Sequence, residues 1–225
     1  MDDFNHADFL KKGTLLLADA SGEDISVCIA KGGEVVCEST AHGGALENFF
    51  VLLTGTIAKS GISASALDAV GFCSGPGSVL GIRIVSSALS AMRAANPKLK
   101  LFTWKLLDAY AEIISENAGE TFSIICPSRK NYANVYAAAN GQISQNEILS
   151  EHIADTPSPK FFIRQRPVAD KNFDALNKTH FPVSKIFKTL SAKPNLAEFL
   201  QSRETADAHT LAKREYVKWN SQAHS

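Results

Sequence analysis

The sequence predicts an α/β protein with a mixed sheet in each of two lobes. Three observations carry this. Strand-like runs come first, helices and strands then alternate, and strands return in the second half. Glycine and proline punctuate the boundaries between these segments. With 225 residues the chain is long enough for one large core or two lobes of roughly 100 residues each. The boundary is drawn after 104, giving an N-terminal lobe 1–104 and a C-terminal lobe 105–225, whose last helix is expected to pack back on the first lobe.

Residues 14–19 (TLLLAD) read as a buried strand and 25–31 (ISVCIAK) as a second. The turn at Lys31-Gly32-Gly33-Glu34 leads into Val35-Val36-Cys37; both central glycines tolerate positive φ, as a two-residue hairpin requires. Residues 45–60 (ALENFFVLLTGTIAKS) read as a helix ending at Gly61, with Leu46, Phe49, Leu53 and Ile57 at helical spacing and Phe50, Val51 and Leu52 widening the apolar surface. A helix apolar on most sides is covered on most sides, by this chain's core or by a partner. Residues 67–73 (LDAVGFC) are a short strand, followed by Ser74-Gly75-Pro76-Gly77-Ser78 and a helix, VLGIRIVSSALSAMRAA. That helix has two charges, Arg83 and Arg93, and many small residues that allow close helix approach. Two consecutive helices without an ordinary polar face are the main sequence hint of a protein interface.

Asn96-Pro97 breaks the second helix. A strand is predicted at 100–104, a helix at 105–117, strands at 122–126 and 133–139 with Asn140-Gly141 as the turn, and a further strand at 147–153. From Asp155 to Pro194 five prolines and scattered charge predict loops and short elements. Short helices are expected at 195–203 and 206–214.

Two places hold residues suited to phosphate chemistry. Strand, glycine turn and helix N-terminus at Gly75, Gly77 and Ser78 bring backbone N–H groups together, an arrangement that favours anions. The turn lacks the P-loop lysine, and Gly75, Gly77 and Gly81 miss the dinucleotide spacing. A sharp turn with Ser78 as N-cap explains the same residues. Asp19 and Ser21 at the end of the first strand suit either a metal-bound phosphate or an Asx turn between strands. Six histidines show no HxxH, HExxH or HxxxH pair, so no helical metal pair is available, although His42 is placed to cap the first helix. No GxSxG elbow supports a hydrolase. Ser128-Arg129-Lys130 is either a basic cleft edge or a solvated turn.

Net charge is zero, which announces no nucleic-acid binder, yet residues 160–218 hold twelve Lys/Arg against six Asp/Glu. Four scattered cysteines, Cys28, Cys37, Cys73 and Cys126, read as reduced core thiols. The first twelve residues carry acids and no apolar core, and no run approaches a membrane span, so a cytoplasmic protein is expected.

LDAVGFCSGPGSVLGIRIVSSALSAMRA resembles the "LDAIAVGRGPGSFTGLRIGLAAAKGLA" pattern of the bacterial TsaB (YeaZ) family. LLLADASGEDISVCIA is similar to that family's "ILAIDTSTEACSVAL" opening, ICPSRKNYANVYAA to its "IDARRGEVYAA" strand pair, and REYVKW to its closing "PxYLR". The likeness covers about residues 14–139. It implies an actin-like (sugar kinase, Hsp70 and actin type) two-lobed fold and a role as the non-catalytic partner of TsaD, with a TsaE-like ATPase nearby, in making threonylcarbamoyladenosine on tRNA. It implies no turnover by this chain alone and no cofactor of its own, ATP and magnesium belonging to the complex. It places the partner interface on the two apolar helices, at Leu46, Phe49, Phe50, Leu53, Ile82, Ser86, Leu89 and Arg93. For the chain alone, monomer and homodimer both stay open, and tRNA is expected to be contacted indirectly or weakly. Here Val79 and Leu80 stand for the family's Phe and Thr, Ala20 for its Thr, and Pro127 near its missing acid. The rival is an actin-like ATPase or small-molecule kinase using Asp19 and the Gly75–Gly77 loop.

Overall fold

The computed structural model describes residues 10–163, 170–174, 176, 178–193 and 200–202. β1 (Thr14–Asp19), β2 (Asp24–Lys31) and β3 (Glu34–His42) form an antiparallel meander. Gly32 and Gly33 turn it with φ of 60° and 85°, positive values that glycine adopts at no steric cost. α1 (Ala45–Ser60) ends where Gly61 enters the left-handed region and its N–H bonds to the Ala58 carbonyl. β4 (Ala69–Cys73) then lies parallel to β1. α2 (Val79–Ala95) carries the chain across to β5 (Lys100–Trp104), parallel to β4.

α3 (Leu106–Ala118) leads into the second sheet: β6 (Phe122–Pro127), β7 (Tyr132–Ala139), β8 (Gln142–Leu149) and β9 (Lys160–Phe162), in the order β8-β7-β6-β9. The Asn140-Gly141 turn has positive φ at both positions, 53° and 75°. α4 (Val183–Ser191) and β10 (Leu200–Ser202) return to the first sheet, whose order is β10-β5-β4-β1-β2-β3.

Three segments differ from the sequence-based expectation. The strand expected at 147–153 runs instead from Gln142 to Leu149, and Ser150–Asp155 is a 3-10 helix. β8 pairs on one side only, and its mostly exposed polar residues left no alternating apolar signal. Leu200–Ser202, expected inside a helix over 195–203, pairs antiparallel with Phe102–Trp104 instead. At Leu200–Ser202, pairing with an existing sheet edge overrides helical propensity. Within 155–194, expected as loops and short elements with no helix placed before 195, Val183–Ser191 forms a helix that buries Val183, Ile186, Phe187 and Leu190 at i, i+3, i+4 and i+7. The helix expected at 206–214 and the REYVKW element lie outside the described residues.

α1 and α2 pack together on one face of the first sheet. Phe49 and Leu53 from α1 and Ile82, Val85 and Leu89 from α2 cover Leu16, Val27, Ile29, Val70 and Phe72. A second cluster fills the space between the sheets. It joins Leu15, Leu17, Phe102 and Trp104 to Tyr110 and Ile114 of α3, to Phe122, Ile124 and Tyr136 of the second sheet, and to Ile186 and Phe187 of α4. A third, smaller cluster of Ile125, Val135, Phe162 and Phe173 covers the outer face of the second sheet. Among the described residues no helix is long and apolar enough to cross a membrane. Cys28, Cys73 and Cys126 are buried and Cys37 is half-buried, all as thiols.

Candidate functional site

Ser78 is the N-cap of α2: its Oγ accepts from the Gly81 N–H at 3.2 Å. The glycine turn is close-packed against the β1–β2 turn. The Ser78 N–H donates to the Ser21 carbonyl at 2.8 Å. A Cβ on Gly77 would sit 2.5 Å from the Ser21 Cβ, and one on Gly81 would sit 2.0 Å from the Ala20 carbonyl oxygen. The Ser74 N–H and Oγ both donate to the Trp104 carbonyl, and the Leu106 N–H donates to the Gly75 carbonyl. Glycine at 77 and 81 therefore serves close backbone approach within the chain, and part of the helix N-terminus is already satisfied by it.

Asp19 is buried at the end of β1, and its Oδ1 accepts from the Ser21 N–H at 2.8 Å, the Asx turn that the sequence allowed. Burial is the main reason its carboxyl titrates above the ordinary range, against the opposing hydrogen bonds from Ser21 and the charge of His180. Cys73 is buried near the same carboxylate, and burial, then the Asp19 charge, pushes its thiol well up. Tyr110 is raised for the same two reasons in the same order. The cleft over Asp19 is lined by Ser21, Glu23, Asp24, Tyr110, Lys178 and His180 and has a volume of about 60 Å³. That is room for a water or two, well short of the ~300 Å³ at which ligand pockets begin. The segment 178–180 narrows it, held by the Thr179 N–H on the Phe162 carbonyl at 2.7 Å. These residues do not fit a magnesium nucleotide: the space is too small and the carboxylate is penalised when charged. Among the described residues no group of three or more His, Cys, Asp or Glu is placed to hold a metal.

His42 does not cap α1. Its Nδ1 meets Asp24 Oδ1 at 2.8 Å, and Gly44 takes the cap position. Ser128-Arg129-Lys130 is the turn between β6 and β7. Arg129 reaches Glu147 Oε2 at 3.0 Å and stacks 3.9 Å over the Tyr132 ring, and the Ser128 hydroxyl donates to the same carboxylate.

The two helices divide the predicted interface residues between core and surface. Phe49, Leu53, Ile82, Ser86 and Leu89 are buried in this chain's own core, because they face the sheet. Covered already, they have almost no surface to offer another molecule. Arg93 is half-buried. Leu46 and Phe50 remain 63% and 52% exposed. Val51 at 72% and Leu80 at 61% join them, two surface residues that the sequence reading did not put in the interface. The Phe50 ring rests edge-on against Phe49, 5.6 Å between centroids. Helical spacing located Phe49 and Leu53, which face the sheet, but took in Leu46, which faces outward; Phe50 and Val51, the apolar residues beside that stripe, were the better signal of an outward face.

Among solved structures the chain is similar to YeaZ from Pseudomonas aeruginosa, at 21% identity and a TM-score of 0.58 over 80% of this chain and 90% of that one. It is also similar to a Pseudomonas aeruginosa protein described as resembling the peptidase YeaZ, at 20% identity and a TM-score of 0.57 over 79% and 89%. The fold is actin-like. The actin-like core is visible in the first sheet, where a three-strand meander is extended by two parallel strands entered through helices. At this identity the likeness is one of fold. No protein-family profile matches the sequence, and no curated protein does.

Proposed function

We propose that this chain is a TsaB-like partner subunit, without turnover of its own, that pairs with a TsaD-like catalytic subunit in the threonylcarbamoyladenosine modification of tRNA. The observation that carries the reading is the outward row of Leu46, Phe50 and Val51 on α1, beside the small-residue helix α2. Large apolar side chains grouped on one face of a helix mark an interaction surface better than scattered ones do. The glycine turn packs the start of α2 against β1–β2, which fixes the direction of that helix. The likeness of fold to YeaZ, together with the glycine-turn motif, supports a TsaD-like subunit as the kind of partner. A small, closed cleft over a buried carboxylate fits a subunit that leaves nucleotide chemistry to the complex. In the absence of the partner the same row is expected to pair two copies of the chain.

Affinity purification of the chain from its native host, followed by identification of what it retains, tests the reading. Recovery of a TsaD-like subunit, lost with Phe50→Asp, is the expected result. Magnesium-dependent ATP binding by the isolated chain in calorimetry, abolished by Asp19→Ala, would instead favour the ATPase reading.

A further inference from the structure

A cavity of about 310 Å³ opens between α3 and the β7–β8 hairpin, sharing no lining residue with the Asp19 cleft or with α1. It exists because small residues meet there. Ala111 and Ala138 line it, and Gly119 and Gly141 flank it with open space where a Cβ would stand. Both glycines have a φ of 75°, one just past the end of α3 and the other in the hairpin turn, so larger residues are disfavoured at both. Phe122 and Tyr136 supply an aromatic wall, their rings nearly parallel with centroids 6.0 Å apart. Ile143, 65% exposed, adds an apolar rim.

The charge on this cavity has one sign. Glu112 and Glu120 line it, and no Lys, Arg or His does. Glu112 is paired with Lys193 from outside the lining. Glu120 is exposed at the rim, and among the described residues none forms an ion pair with it. Asp108 lies close enough for its charge to act on Tyr136, whose hydroxyl is pushed up to about 12 by burial, then by Asp108 and Glu112. That hydroxyl is therefore neutral at physiological pH. Ser115 and Gln142 add polar groups at the edge.

An apolar pocket with a few convergent polar groups, at the lower end of ligand-pocket volumes, suits a small molecule. Carboxylates beside aromatic faces select a cation, because both the charge and the ring quadrupole attract it. We propose that this cavity binds a small organic ammonium ion, an amine carried on a flat or apolar body.

Ligand-observed saturation-transfer NMR on the full chain tests this with three probes of one shape: phenethylamine, phenethyl alcohol and phenylacetate. Saturable binding of the amine is expected, with the alcohol weaker and the carboxylate silent. Ser115→Phe, at an exposed position on α3, fills the mouth and should abolish amine binding with the circular dichroism unchanged. Glu120→Gln, which cannot disturb the core, should weaken the amine about three- to fivefold and leave the alcohol untouched. Phe50→Asp, on the other side of the first sheet's fold, should leave amine binding intact, which separates this site from the partner surface. Equal binding of all three probes, absence of saturable amine binding, or amine binding indifferent to Glu120→Gln would overturn the proposal.

Discussion

Asp19 accepts a short hydrogen bond from the Ser21 N–H, which favours its charged form, yet burial wins and raises its pKa. The sign of the consequence follows. A carboxyl raised in the folded state binds more protons there than in the unfolded chain between the two pKa values, so stability falls as pH rises through that window. The penalty is absent below the unfolded value and complete above the folded one. Asp19→Asn keeps an acceptor for Ser21 and removes the charge. It is expected to stabilise the protein at pH 7, with the gain fading toward pH 4, at about 1.4 kcal/mol per unit of raised pKa. Urea denaturation at the two pH values measures it; a destabilised variant at pH 7 would mean that the charge serves binding and is stabilised there. At the same scale, Gly81→Ala puts a methyl against the Ala20 carbonyl, and backbone cannot step aside as a flexible side chain would. A loss of about 1–3 kcal/mol is expected from the same denaturation experiment. The sequence showed both residues as features of interest, but it could not show that each packs against the other's turn. Ser78, by contrast, was legible as an N-cap because capping depends on residues three apart in the chain.

At the scale of elements, legibility tracked how local the decisive interaction was. α1 stops and α2 starts and stops where Gly61, Ser78 and Asn96 put them, three signals within a turn of the helix end, whereas the start of α1 at Gly44 carried no such signal. α4 was hidden because its nine residues follow Pro182 in a charge-rich stretch, although its apolar spacing was complete. β10 was misread because its partner strand is about a hundred residues away. The same distinction governs the interface helices. Which apolar residues of α1 face inward depends on the sheet beneath them, and that sheet is assembled from β1 to β5. Phe50→Asp and Leu89→Ala therefore report different things. Phe50 lies half in solvent, so Phe50→Asp should leave the melting transition within a few degrees and abolish pairing with the partner. Leu89 is fully buried under α2, so Leu89→Ala should cost about 2–5 kcal/mol of stability and affect pairing only through that loss. Size-exclusion chromatography with the partner, beside thermal melts of each variant alone, separates the two. A folded Phe50→Asp that still pairs would move the interface off α1.

For the whole molecule, the order of strands and helices was enough to predict two mixed sheets, since that order follows from local periodicity. How the sheets are joined was not legible, because the joining residues come from distant parts of the chain. Helix α4, late in the sequence, docks on the underside of the first sheet. The Val183 N–H donates to Ser26 Oγ at 3.2 Å, and the Ser184 N–H and Oγ donate to the two oxygens of Glu38 at 2.8 and 2.6 Å. Glu38 thereby places a carboxylate at the positive end of α4. The Phe181 N–H donates to the Tyr110 hydroxyl at 3.0 Å, tying the same segment to α3. One apolar cluster runs through α4, α3 and both sheets, so neither sheet retains its inner cover when the other leaves. Unfolding is therefore expected as a single transition. Phe187, 3% exposed at the centre of this contact, is the position to probe. Phe187→Ala should lower stability by about 3–5 kcal/mol. The shift should be equal for Trp104 fluorescence, which reports the first sheet, and for hydrogen exchange at β7, which reports the second. Two separated transitions, with only one of them moved by Phe187→Ala, would show instead that the lobes fold apart and that the cluster between them is a docking contact.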